Sequence, residues 1–89
     1  MSNRLESIIP PMRIIIDNTP VNIYEVTKST LINGETWYHV YLSIGIGKNE
    51  SRRFSLSVRN FKELRKKLLI EVSKYKFMRL IGRQDLVMG

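Results

Sequence analysis

Residues 36–46 alternate so regularly that they leave the chain few options. Their even positions, Thr36, Tyr38, Val40, Leu42, Ile44 and Ile46, form a nearly pure apolar row. Among the odd positions, Trp37, His39, Tyr41, Ser43 and Gly45 form a second row that carries two aromatic rings and the only histidine. Successive side chains of a strand point to opposite faces, so this spacing predicts a strand with one face for a core. The other face is unusual. A half-buried strand ordinarily carries plain polar residues there, whereas this one carries Trp37 and Tyr41.

Asn33-Gly34 separates this strand from a second strand-like run, 21–32. Asn-Gly between two such runs signals a hairpin, because a two-residue type I′ turn needs positive φ at both central positions. That turn would set Lys28 opposite His39, Val26 opposite Tyr41 and Tyr24 opposite Ser43 on one face. On the other face it sets Thr27 opposite Val40 and Glu25 opposite Leu42. Glu25 then falls in the apolar row, where an unpaired carboxylate is costly. A bulge near Glu25 or a place at the sheet margin would each remove the conflict.

Two shorter strands complete the sheet. Residues 12–17 are β-branched and are bounded by the turn-forming Asn18-Thr19-Pro20. Their faces stay open, with Ile14 and Ile16 on one and Arg13, Ile15 and Asp17 on the other. In 52–58, Phe54, Leu56 and Val58 make the inner row and Arg53, Ser55 and Ser57 the outer one. Asn60 is then an N-cap, with Glu63 three residues on in a capping-box relation. A helix follows within 60–81, with Phe61, Leu64, Leu68, Val72 and Tyr75 as its docking stripe. Glu63–Lys67 and Glu71–Lys74 are supporting pairs. Ile70, Phe77 and Ile81 lie opposite the stripe, where a partner subunit or a returning chain tail would cover them. The expected fold is α+β: a four-stranded antiparallel meander over 12–58 with one long C-terminal amphipathic helix packed on one face. Residues 1–89 read as one domain, 1–11 as an arm and 82–89 as a tail.

The 89 residues carry a formal net charge of +7, and it is unevenly spread. Twelve Lys and Arg face three Glu in 48–83, whereas 1–47 holds three basic and four acidic residues. A basic half beside a neutral half points to a polyanionic partner. The helix contributes much of it: Lys62, Arg65, Lys76, Arg79 and Arg83 flank the docking stripe, and Lys66, Lys67 and Lys74 point outward. With no cysteine, disulfides and thiolate metal sites are excluded, and a cytoplasmic location is the simpler expectation. The apolar runs are too short to span a bilayer, and the first residues lack the apolar core and cleavage site of a signal peptide. A lone histidine, no spaced carboxylate pair and no phosphate-cradling glycines argue against an enzyme, a metal, a cofactor and a small-molecule substrate.

The remaining reading is binding. The uncovered sheet face collects Tyr24, Lys28, Trp37, His39 and Tyr41, extended by Arg53 with Arg52 and Arg59 beside it. Rings interleaved with cations suit single-stranded DNA or RNA, whose phosphates follow a positive groove while bases stack on aromatic side chains. A chain this short also invites a homodimer. A protein-interaction or assembly module, such as a small regulator or viral accessory protein, would use the same face for a polypeptide.

The junction Arg52-Arg53-Phe54-Ser55-Leu56-Ser57-Val58, leading through Asn60 to Leu68, resembles the last strand and helix of positive-cofactor-four-type single-stranded-DNA-binding proteins. The element order is also similar to archaeal ThermoDBP-type proteins. The resemblance implies a curved sheet followed by one amphipathic helix, a dimer, and Arg52, Arg53, Trp37 and Tyr41 as nucleic-acid contacts. The same junction is similar to the Arg-Arg-Tyr/Phe approach to the first helix of PX domains, which bind phosphoinositide headgroups, but that family's proline-rich loop and later helices are missing.

Overall fold

The alternating rows build the sheet that they predict. In a computed structural model, which describes residues 9–81, the elements are β1 (Met12–Ile16), β2 (Thr19–Thr30), β3 (Thr36–Ile44), β4 (Phe54–Val58) and α1 (Phe61–Leu80). The strands pair antiparallel in the order β1-β2-β3-β4, a meander, and α1 packs on one face. Most of the N-terminal arm, the tail 82–89 and Arg83 lie outside the described residues.

The core lies between the inner rows and the helix stripe. Val21, Ile23, Val40, Leu42, Ile44 and Val58 meet Leu64, Leu68, Val72 and Tyr75, with Tyr38, Phe54, Leu56 and Phe61 packed around them. On β1 the inward row is Met12, Ile14 and Ile16, so Arg13 and Ile15 face the other way. The N-cap forms as its spacing predicts: the Glu63 amide donates to Asn60 Oδ1 at 2.8 Å. Glu63 Oε1 in turn accepts from the amide of Arg59, one residue before the cap. Lys67 departs from the expected outward course and from its expected pair with Glu63. It is half-buried, and its Nζ donates to the Ser57 carbonyl at 2.8 Å.

The hairpin register differs from the expected one. A two-residue turn with positive φ at both centres does occur, but at Asp17-Asn18 (φ 51° and 60°), between β1 and β2. Asn33-Gly34 belongs to a longer loop. The Gly34 amide donates to the Leu31 carbonyl and the Leu31 amide to the Glu35 carbonyl, leaving three residues between that pair. Gly34 alone takes positive φ there, at 92°, the geometry of a type I turn closed by a glycine bulge. β2 therefore stops at Thr30, and each of its residues slips by one against β3. Lys28 pairs with Tyr38 and Val26 with Val40, while Thr27, not Lys28, faces His39. A second irregularity, between Ile23 and Glu25, absorbs one more residue. Of the two ways out for Glu25, the bulge is the one taken: Glu25 sits opposite Tyr41 and is exposed.

Candidate functional site

The outer face of the sheet reads as four rows running across the strands. Ser29 and Trp37 lead, in register, to Arg59 just beyond β4, and Thr27, His39 and Ser57 form the next row. Glu25, Tyr41 and Ser55 form the third, with Tyr24 bulged beside Glu25; Asn22 and Ser43 lead to Arg53, just before β4. The bulge keeps Tyr24 on this face although the register slipped. Its ring centroid lies 6.3 Å from that of Tyr41, tilted by 59°, within the range of favourable ring pairs.

An arginine caps the aromatic row at each end. The Arg53 guanidinium lies 4.0 Å from the Tyr24 ring centroid, and that of Arg59 lies 5.3 Å from the Trp37 ring. The two arginines are six residues apart, about 20 Å by strand rise. Trp37 and Tyr41 are about 13 Å apart on the same measure, with His39 midway. Trp37 is half-buried and Tyr41 is 40% exposed. Beside Tyr41 lies a shallow depression of about 250 Å³, lined by Glu25, Thr27, His39, Tyr41 and Ser55. Rings for stacking and polar groups for base edges thus share one surface.

Arg59 is only loosely held by its carboxylates. Arg59 lies 3.8 Å from Glu35 and 3.9 Å from Glu63, exposed pairs of the kind worth little, so exchanging a carboxylate for a phosphate costs little. His39 Nδ1 is 2.9 Å from Ser57 Oγ, which ties the imidazole to β4. Arg52 is exposed ahead of β4. Lys28 is not part of the face: the slipped register turns it to the helix side of the sheet.

The alternation of β3 does not reveal the polar cluster at the Arg53 corner. Ser43, wholly buried, accepts from Asn22 Nδ2 at 3.1 Å. Asn22 also donates to the Gly45 carbonyl at 2.8 Å and accepts from Arg13 Nε at 2.7 Å. The hydroxyls of Tyr24 and Ser43 both donate to the Glu50 carboxylate. These two bonds, from Ser43 and then Tyr24, with Arg53 and Arg13 nearby, outweigh the small desolvation cost and lower the Glu50 pKa below the ordinary value. Glu50 therefore stays ionised and pins the loop after β3 to the outer face. The signal was the position of Asn22 and Ser43 in the outer rows, but joining them required the register of β2.

The face carries Glu25, Glu35 and Glu50 as well as its arginines, so it lies near charge balance. The excess of positive charge lies on the helix side, where Lys62, Arg65, Lys66 and Lys74 are exposed. A larger hollow of about 560 Å³ opens by the C-terminal end of α1, against Pro20, Gly45 and Asn49. Its two cations are engaged locally, Lys76 with Asp17 at 2.9 Å and Arg79 over the Tyr75 ring at 5.9 Å.

Among the described residues no three His, Asp or Glu side chains come together as metal ligands, and no helix is long and apolar enough to cross a membrane. No protein-family model, no curated protein and no solved structure matches this chain significantly.

Proposed function

We propose that this protein binds nucleic acid, preferring single strands, through the outer face of its sheet, as a cytoplasmic binding protein that assembles as a homodimer. The observation that carries the reading is the aromatic row of Trp37, Tyr41 and Tyr24, with Tyr41 exposed, Trp37 and Tyr24 half-buried, and a guanidinium group over the ring at each end. Bases stack on the rings. Arg53, Arg59 and Arg52 take phosphates at the two ends, and His39, Thr27 and Ser55 offer hydrogen bonds between them. The arginines already stack on the rings, so a strand that takes their charge also uncovers the surface on which its bases stack.

Fluorescence of Trp37, the only tryptophan, tests this with short oligonucleotides. Quenching that weakens steeply with salt is expected, with single strands preferred over duplex. Read with a labelled oligonucleotide, Trp37→Ala and Tyr41→Ala should each lower affinity about 5- to 150-fold, the value of one lost stack. No binding at low salt would sink the proposal, and a preference for duplex would remove the stacking mechanism.

The three carboxylates on the face favour a second reading, in which the partner is a polypeptide of mixed charge. Loss of a protein partner in Trp37→Ala, with oligonucleotide affinity unchanged, would select it.

A further inference from the structure

β1 and β4 are the two outermost strands of the sheet, and they are guarded differently. An open edge presents a row of backbone N–H and C=O groups with which another chain can pair, and proteins blunt such edges with charge, proline or cover. β4 is blunted: Arg52 and Arg53 precede it and Arg59 follows it. In the two-fold antiparallel pairing that uses all five of its residues, Phe54 falls opposite Val58 of the second copy. That register sets Arg53 opposite Arg59 of the other copy, twice, and like charges directly opposite are destabilising.

β1 is guarded less: Pro10 and Pro11 precede it, and its one charge, Arg13, is tied to Asn22 of β2 by a 2.7 Å hydrogen bond. Its sequence is Met-Arg-Ile-Ile-Ile, and Ile15 is 62% exposed on the outer face. Under the inward row, a cavity of about 440 Å³ opens between β1 and α1, walled by Phe61, Leu68 and Leu69. Asp17 and Arg65, the two charged residues in its lining, are of opposite sign. The two-fold register that pairs all five residues is centred on Ile14. It sets Met12 opposite Ile16 of the second copy and Arg13 opposite Ile15 of the second copy, so no charge meets its like.

We infer that β1 is the assembly edge, pairing antiparallel with β1 of a second copy to join two four-stranded sheets into one. The occupant is a second copy because an isolated strand edge that is self-complementary under a two-fold axis matches itself on both faces. The inward isoleucines of the two copies then close their cavities against one another. The outer faces become one continuous surface carrying both aromatic rows. The inference specifies the homodimer proposed above and is independent of the ligand, since its readout is mass and not oligonucleotide binding.

Sedimentation equilibrium of the full chain, with Ile15 varied, tests it. Ile15 is exposed, so its substitution spares the monomer, which circular dichroism verifies. Ile15→Lys places a cation opposite Arg13 of the second copy at two symmetric points and should weaken the dimer about 5- to 30-fold. Ile15→Glu places an opposite charge there and should dimerise within a few-fold of the parent. Phe77→Lys, on the outer side of α1, should leave the dimer constant unchanged. A parent that stays monomeric, as it would if residues 1–8 occupied the edge, overturns the inference. So does an Ile15→Lys variant that dimerises like the parent, or equal weakening by Lys and Glu. A dimer dispersed by Phe77→Lys would move the interface to the helix.

Discussion

Gly45 takes a φ of +91°, and its amide donates to the Pro20 carbonyl at 2.9 Å. A Cβ added there would meet the Tyr75 hydroxyl oxygen at 2.2 Å and the Asn49 carbonyl at 2.8 Å. Those two atoms are themselves hydrogen-bonded at 2.7 Å, so neither gives way freely. Gly45→Ala therefore combines left-handed backbone strain with a clash and should cost about 2–4 kcal/mol, read from the urea midpoint. A loss below half a kcal/mol would mean that the loop after β3 moves aside easily. Glu50, in the same loop, makes an acid-sensitive contribution. Folding lowers its pKa through the Ser43 and Tyr24 hydroxyls, so the contribution is full above the ordinary glutamate value of about 4.3 and fades as pH falls through the lower folded value. The carboxylate is exposed and screened, so the effect is small. Glu50→Gln should nonetheless flatten the fall in stability below about pH 4.3, and equal acid sensitivity in parent and variant would show that Glu50 contributes none of it.

Among the elements, the strands and the helix were legible where a period repeats. The inner row of β3 from Tyr38 to Ile44, that of β4 and the stripe from Phe61 to Tyr75 face the core as their spacing predicts, because each places several residues against one apolar surface. Ile46, the last member of the expected row, lies beyond β3 and is exposed. The Asn60 cap was legible because its chemistry is local. Asn60→Ala should cost about 1 kcal/mol, and a neutral result would mean that the Glu63 bond to the Arg59 amide holds the helix start alone. The turn at Asn33-Gly34 was not legible. Asn-Gly suits both a two-residue turn, with positive φ at both residues, and a three-residue loop in which Gly34 alone needs it, and the two differ by one residue of register. That slip moved Lys28 out of the candidate site. Tyr24 stayed only because a bulge absorbed a second residue, and the anomaly of Glu25 in the apolar row was its one trace in the sequence. Asn22 joins the face only through the register of β2 with β3, and Arg13 only through the pairing of β1 with β2, so neither was legible from its own strand.

Across the molecule, the aromatic row of the outer face and the excess of positive charge occupy opposite sides of the sheet. The outer sheet face balances its arginines with Glu25, Glu35 and Glu50, whereas Lys62, Arg65, Lys66 and Lys74 are exposed along α1. Charge at that distance cannot touch a strand bound to the sheet, but it raises the potential that draws a polyanion in. Such steering acts on association and is screened beyond a Debye length of about 8 Å at physiological salt. Stacking on Trp37 acts once contact is made and sets how fast the strand leaves. The two effects are therefore separable in kinetics. Lys62→Glu combined with Lys66→Glu should slow association about 3- to 10-fold at low salt, lose that effect at high salt, and leave dissociation unchanged. Trp37→Ala should do the reverse, speeding dissociation with little change in association. Stopped-flow fluorescence with a labelled oligonucleotide measures both rates. If the helix charge reversals speed dissociation as strongly as Trp37→Ala, the basic side of α1 is itself a contact surface, and the sheet face cannot be the whole site.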